Sequence, residues 1–245
     1  MTPIIIIPAR LQSTRLARKP LALIAGVPMI VHVWRRAVAS RVGPVVVACA
    51  ESEIAAVITA AGGIAVLTRP DHPSGSDRVF EALGAVDPER RHDVVLNLQG
   101  DLPLIDPAII AAALEPLADD RVDIGTLAAP IRDAAEIAAP SVVKIAAGFA
   151  PGARLAPALY FSRMALPWGD GAHYHHIGIY AYRRAALERF VALPPGVLER
   201  RESLEQLRAL EAGMRIGVAL VDTVPLGVDT PADLARARAL AAAAP

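Results

Sequence analysis

Apolar positions along this chain fall into short dense runs separated by stretches of helical spacing. Ile4–Ile7, Val45–Cys49, Ile64–Leu67 and Val94–Leu98 are almost uninterrupted apolar runs of four or five residues. Such runs predict strands, and the β-branched run Ile4–Ile7 reads as buried on both faces, as at the centre of a parallel sheet, with Val94–Leu98 as another buried strand. Between them, Met29–Ser40 carries apolar residues at helical spacing, with Pro28 where a helix N1 proline would stand. Ser52 is placed to cap a helix over Glu53–Ala61, which Gly62-Gly63 ends, and Ser76 is placed to cap another from about Asp77 to Val86. This alternation predicts βαβ units, hence an α/β fold with a mostly parallel central sheet and helices on both faces. The C-terminal half is less regular. It predicts a smaller mixed region, with strands around Thr126–Ala129, Val142–Ala146, Ala158–Phe161 and Ile177–Tyr182 and helices near Ala185–Val191, Leu204–Ala212 and Pro231–Ala242.

No tract rich in Gly, Ser or Pro divides the 245 residues, which favours a single domain with halves of about 1–130 and 131–245. Hydrophobic residues make up 54% of the chain, ample material for a core. The 25 acidic and 25 basic residues cancel, so no net field favours nucleic acid or an anionic membrane. Met1-Thr2-Pro3 lacks a basic leader, and Ile4–Ile7 is too short for a signal peptide or a membrane span, so a cytoplasmic location is expected. The single cysteine, Cys49, lies in an apolar run and reads as a small core residue.

Charge is concentrated where the first strand ends. Between Ala9 and Pro20 stand Arg10, Arg15, Arg18 and Lys19, with Ser13 and Thr14 among them. A cationic loop at the carboxyl end of a core strand sits where open α/β sheets bind ligands, and a phosphate chain is the matching ligand. Neither G-x-x-x-x-G-K-[ST] nor a G-x-G-x-x-G after the first strand is present, which excludes a P-loop kinase and a dinucleotide oxidoreductase. There is also no D-x-D at a strand end, a motif of many metal-dependent glycosyltransferases.

Further along, Gln99-Gly100-Asp101 places an acid just beyond a strand, reached through a glycine that permits a tight turn. Such an Asp suits a hard cation, and equally a turn. In Gly227-Val228-Asp229-Thr230-Pro231, Asp229 or Thr230 is an N-cap with Pro231 at N1. His173, His175 and His176 alternate along a strand and do not share one face, which argues against a zinc cluster.

These segments together resemble the sugar-activating cytidylyltransferases, in particular the 3-deoxy-manno-octulosonate (Kdo) cytidylyltransferase, or CMP-Kdo synthetase, family. The resemblance runs in collinear order through Ile7-Pro8-Ala9-Arg10, Ser13-Thr14-Arg15-Leu16, Lys19-Pro20-Leu21, Ser74-Gly75-Ser76-Asp77-Arg78, Gln99-Gly100-Asp101, Gly227-Val228-Asp229-Thr230-Pro231, His176–Arg183 and Glu202–Arg208. It implies a nucleotide-diphospho-sugar transferase type of fold, with a nucleotide-binding first half and a second half for sugar binding and dimerisation. It implies that Ala9, Arg10, Ser13, Arg15 and Lys19 wrap the CTP triphosphate, and that Ser74, Gly75 and Arg78 line the nucleoside. Asp101 and Asp229 then hold Mg²⁺, and Gln99 lies by nucleotide and sugar, with His176, Tyr180, Glu205 and Gln206 at the acceptor sugar. Two positions depart from the family: Arg18 replaces a glycine, and Leu102 replaces a glutamate.

The activity so implied is transfer of CMP from CTP to the anomeric hydroxyl of Kdo, for lipopolysaccharide biosynthesis, by a cytoplasmic homodimer. Arg10 and Lys19 would share the catalytic work with Asp101 and Asp229. Tyr160–Trp168 is the expected dimer surface, and no residue stands out as a general base. The alternatives are another acidic sugar as acceptor (8-amino-Kdo or a sialic acid), a uridylyl- or guanylyltransferase, or a non-catalytic nucleotide-binding protein on the same fold.

Overall fold

The computed structural model describes residues 1–13 and 15–243; Thr14 of the cationic loop and the last two residues lie outside it. The chain packs as two compact units, one formed by Met1–Ala111 with the chain from Pro225 onward, the other by Ala112–Val224. The second unit starts at Ala112, and the C-terminal segment returns to the first unit. Local apolar pattern could not show that return, because it is decided by what the last helix packs against.

The first unit begins with β1 (Pro3–Ala9) and a two-stranded hairpin, β2 (Leu23–Ile24) and β3 (Val27–Pro28). Then come α1 (Met29–Ala39), β4 (Val45–Cys49), α2 (Ser52–Ala60), β5 (Ile64–Leu67), α3 (Gly75–Val86), β6 (Val94–Asn97) and α4 (Pro107–Ala112). Its strands lie in the order β5-β4-β1-β6, all parallel. Ile5, Ile6 and Ile7 of β1 and Val47, Ala48 and Cys49 of β4 have no exposed surface, as central strands require. Burial, with Glu51 second, pushes the Cys49 thiol up to about 11, so it behaves as a core residue.

The order carries a consequence for the site. From β1 the chain steps to β4 and β5 on one side, then returns across the sheet through α3 to β6 on the other. Right-handed crossovers place α1 and α2 on one face and α3 on the opposite face. The direction of winding therefore reverses between β1 and β6, and the crevice at their carboxyl ends is where such sheets bind ligands.

Three helix starts differ from expectation by a residue or two. Pro28 ends β3 and occupies the N-cap position rather than N1, because Met29 N–H is drawn to Ala22 O across the hairpin. Ser52 lies inside α2, whose N-cap position is Glu51. Ser74, not Ser76, caps α3: its Oγ accepts from Asp77 N–H at 3.2 Å, while Ser76 is buried.

The second unit contains β7 (Ile124–Pro130), α5 (Ala134–Ala138), β8 (Lys144–Ala147), β9 (Leu155–Ser162), β10 (Tyr174–Arg183), α6 (Arg184–Ala192), α7 (Val197–Glu202), α8 (Leu207–Glu211) and β11 (Ile216–Leu220). Its strands run β10-β7-β11-β9-β8, and β8 also meets β10 at Lys144 and His175, so the five strands return on themselves. Only β7 and β11 pair in parallel, giving the mixed character expected of this half. β11 was not foreseen: Ile216–Leu220 is interrupted by Gly217, where a Cβ would lie 2.7 Å from Pro116 Cβ.

The helix expected over Leu204–Ala212 is shorter, Leu207–Glu211, and a separate helix that was not expected, Val197–Glu202, precedes it. α7 ends at Ser203, which adopts a left-handed conformation (φ 54°), and α8 starts at Leu207. Tertiary contacts fix the turn between them: Glu202 accepts from Ser162 Oγ (2.8 Å) and Arg163 N–H (3.0 Å), and the Arg163 guanidinium donates to Glu202 O and Ser203 O. The final helix, α9 (Pro231–Ala243), belongs to the first unit. Among the described residues no helix is long and apolar enough to cross a membrane.

Candidate active site

A cavity of about 690 Å³ opens at the carboxyl ends of β1 and β6. Ala9, Arg10, Ser13, Arg15, Lys19, Ser74, Gly75, Arg78, Gln99, Asp101 and Asp229, all singled out from sequence, line it. Pro8, Gln12, Pro20 and Gly100 complete the wall. Gln12 carries a sequence signal too, as a polar residue within the cationic loop.

Packing explains how distant segments meet here. Ile24, Met29, Val228, Leu234 and Ala237 form one apolar cluster, joined by Leu16, Leu104 and Leu226. The cluster docks α9 and the segment before it against the hairpin, and Leu16 ties the cationic loop to the same core. Val228 N–H donates to Asp101 O at 2.9 Å, which pins the two aspartate-bearing segments together. At α9 Thr230 is the cap: its Oγ1 accepts from Asp233 N–H, and Asp233 Oδ2 accepts from the N–H groups of Asp229 and Thr230. With Asp233 serving those donors, the Asp229 carboxylate is left to face the cavity. Gly100 lets the β6 loop pass close to β1, since a Cβ there would lie 3.0 Å from Pro8 O and 3.3 Å from Ile30 Cδ1.

The charged groups form one connected set. Lys19 Nζ donates to Asp101 Oδ2 at 2.8 Å and to Asp229 Oδ1 at 2.9 Å, and Arg15 Nη2 lies 3.1 Å from Asp229 Oδ2. Burial works against the charge on Lys19, but its pairing with Asp101 and Asp229 outweighs this and holds its pKa above the ordinary lysine value. The cationic loop is anchored on the start of α2 by two acids. Glu51 Oε2 accepts from Leu11 N–H (3.0 Å), and Glu53 pairs with Arg18 Nη2 (3.0 Å). Arg18 itself holds a left-handed conformation (φ 51°, ψ 35°), so the backbone here retains the shape that glycine adopts without strain. Leu102 is buried and packs beside Gly227, so it adds no carboxylate to the pair.

On the other wall, Arg78 is almost fully buried and donates through Nη1 to Thr68 Oγ1 and Arg69 O. Its Nη2 has no hydrogen-bond partner among the described residues. Burial lowers its pKa from the ordinary arginine value, with Glu51 opposing. The loop leading to Ser74 is tied back by a His72–Glu81 contact and by Arg69 N–H, which also donates to Glu81.

Of the five acceptor candidates, Gln99 lines this cavity, while His176, Tyr180, Glu205 and Gln206 belong to the second unit. There the His176 ring lies 4.8 Å from Phe161 and 5.6 Å from Tyr180, with Nε2 3.1 Å from Thr126 Oγ1. Burial, aided by the charge of His175, depresses the His176 pKa to about 3, and burial pushes the Tyr180 phenol well up. His176 is therefore a neutral ring at neutral pH. A folded pKa below the unfolded value near 6.5 means that its contribution to stability is complete above that value and is lost as pH falls toward about 3. In an NMR titration from pH 8 to 5, the His176 ring signals are expected to stay fixed; a midpoint near 6.5 would overturn this placement. No group of three or more His, Cys, Asp or Glu residues placed to hold a metal occurs among the described residues, the histidines of β10 included.

Glu202 and Arg208 have structural partners. Glu202 holds Ser162 and Arg163, and the Arg208 guanidinium makes two bonds, 2.8 and 2.6 Å, to Glu199.

Cations suited to a phosphate chain, set against a carboxylate pair at the winding reversal of a parallel sheet, define a nucleotidyltransferase-type α/β protein. The cytidylyltransferase family profile matches residues 4–216. The chain is 68% identical over 97% of its length to the 3-deoxy-manno-octulosonate cytidylyltransferase of Methylobacterium radiotolerans, covering 96% of that protein. It is 66% identical over 98% of its length to the protein of the same name from Methylobacterium nodulans, covering 97% of it. A solved CMP:2-keto-3-deoxy-manno-octonic acid synthetase complexed with CTP superimposes with a TM-score of 0.90 at 40% identity, over 99% of both chains. The chain belongs to the cytidylyltransferase family, among its 3-deoxy-manno-octulosonate cytidylyltransferases.

Proposed function

We propose that this enzyme transfers the cytidylyl group of CTP to the anomeric hydroxyl of Kdo, releasing pyrophosphate. The observation that carries the reading is the convergence of Arg10, Arg15 and Lys19 with Asp101 and Asp229 on one cavity, in a chain so similar to Kdo cytidylyltransferases. The sugar oxygen attacks the α-phosphorus as the bond to the bridging oxygen of pyrophosphate breaks, and the hydroxyl proton leaves to solvent. Alignment and charge balance are what this reaction asks of a protein. Arg10 and Arg15 suit the phosphate oxygens through paired N–H donors, Lys19 through a compact charge. Arg78, with an unused donor at the cavity wall, suits a polar edge of the nucleoside.

Asp101 and Asp229 fit a magnesium ion. Their oxygens already converge on a single cationic point, the Lys19 ammonium, and Mg²⁺ favours a few carboxylate oxygens with waters and substrate phosphates. When bound, such an ion would neutralise phosphate charge and make the sugar hydroxyl more acidic. His176, Tyr180, Glu205 and Gln206 are our acceptor-sugar candidates. Their mixture of acceptors and donors suits a polyhydroxylated acid. The proposal extends to a cytoplasmic homodimer that supplies activated Kdo for lipopolysaccharide. The Tyr160–Trp168 segment, where Met164 is 71% and Trp168 100% exposed, is our candidate subunit contact.

Pyrophosphate release with Mg²⁺ is expected to be fast with CTP and Kdo, and slow with UTP or with a sialic acid. Faster release with 8-amino-Kdo would move the acceptor. No release with any pair, despite CTP binding, would leave a non-catalytic nucleotide-binding protein.

A further inference from the structure

Resting on the reading of Asp101 and Asp229 as the metal pair, we infer that Lys19 is an internal counter-cation that keeps a free divalent ion out until nucleotide arrives. The ammonium bonds one oxygen of each carboxylate, at 2.8 and 2.9 Å, and the Lys19 side chain is only 18% exposed. Its position is fixed by a short 3-10 turn, Lys19–Leu21, in which Pro20 is buried. Arg15 takes the other oxygen of Asp229. Asp101 and Asp229 therefore meet a cation before any ligand does, and the like-charge repulsion between them is already relieved.

A divalent ion approaching those same oxygens must displace the ammonium or sit beside it. Displacement strands a mostly buried positive charge, and close approach sets two cations against each other in a partly desolvated place. A triphosphate removes both penalties. Its oxygens offer Lys19 a new anionic partner within the cavity it already lines, and they supply further oxygen ligands to the ion. Ion and nucleotide are thus admitted together, and the carboxylate pair is kept from capturing a stray cation alone. Lys19 acts here as a positioning residue, distinct from its contact with phosphate.

The test is Mn²⁺ binding followed by electron paramagnetic resonance on nucleotide-free protein at pH 8, with no turnover involved. Wild type is expected to bind Mn²⁺ weakly and Lys19→Met about tenfold tighter or more, the order expected for removing one adjacent charge from a half-exposed pair. Adding Asp229→Asn to Lys19→Met is expected to cancel the gain, and Lys19→Gln serves as a second variant should Lys19→Met not fold. Equal Mn²⁺ affinity in wild type and the lysine variants overturns the inference, while tighter Mn²⁺ binding by the wild-type CTP complex than by the Asp229→Asn CTP complex would show that the metal pair itself stands. Equal Mn²⁺ affinity of those two CTP complexes overturns both.

Discussion

Asp101→Asn is expected to lower turnover roughly 10²–10³-fold, the scale seen when one preorganised electrostatic contact is removed from a transition state. The substitution keeps shape and removes charge. Asp101 Oδ2 is one of two carboxylate oxygens on Lys19, and Leu102 beside it is apolar and buried, so no neighbouring acid takes over. The Asp101 backbone carbonyl still accepts from Val228 N–H, so the two segments stay joined. Because Asp101 is partly exposed, loss of its ion pair is expected to change stability by less than about 1 kcal/mol. Pyrophosphate release measured beside a urea melt separates the two effects. Turnover within tenfold of wild type would remove Asp101 from the catalytic set.

The largest effect on stability is expected at Lys144→Met. Lys144 is fully buried in the second unit, where its ammonium donates to Ala139 O (2.9 Å), Val142 O (2.7 Å) and Arg163 O (2.6 Å). Burial, with Arg163 nearby, pulls its pKa below the ordinary lysine value, and no carboxylate touches the ammonium among the described residues. Methionine fits the volume but leaves three carbonyls without their donor, while also removing a charge whose burial opposes folding. Charge-assisted bonds of this kind contribute about 1.5–3 kcal/mol each, and part is returned by the lost desolvation, so a net cost of about 3 kcal/mol is expected. That corresponds to a melting point lower by roughly 6–12 °C in a protein of this size. A shift under about 1 kcal/mol in urea would mean that the lysine's own desolvation cancels its bonds. CTP binding in the first unit should be unchanged.

Much of the first unit was legible because its strands are dense apolar runs, buried in β1, β4 and β6, although β5 lies at the sheet edge with Ile64 and Leu67 more than half exposed. Val45–Cys49 and Ile64–Leu67 occur with the expected ends, since an apolar run bounded by polar residues has few other ways to fold. The helix caps were less legible. Ser52 and Ser76 carry the right side chains, but the residues whose backbone takes the cap position are Glu51 and Ser74. In the second unit the helix expected from Leu204 starts only at Leu207, and the chain before it is held in a turn where Arg163, remote in sequence, bonds the carbonyls of Glu202 and Ser203. Arg208 bonds Glu199 nine positions away rather than a neighbour on its own helix.

The sequence by itself determined the chemistry available: a cationic loop after a core strand, an acid after a glycine turn, and a second acid before a helix. Each depends on residue type and local spacing, which a linear pattern displays. Tertiary structure alone decided their relations. Handed crossovers made β1 and β6 neighbours, and an apolar cluster brought Asp229 to Lys19 across 210 positions. The same packing seated the Lys19 ammonium between two carboxylates, an arrangement set by the summed contacts of α9, the hairpin and the cationic loop rather than by any one segment.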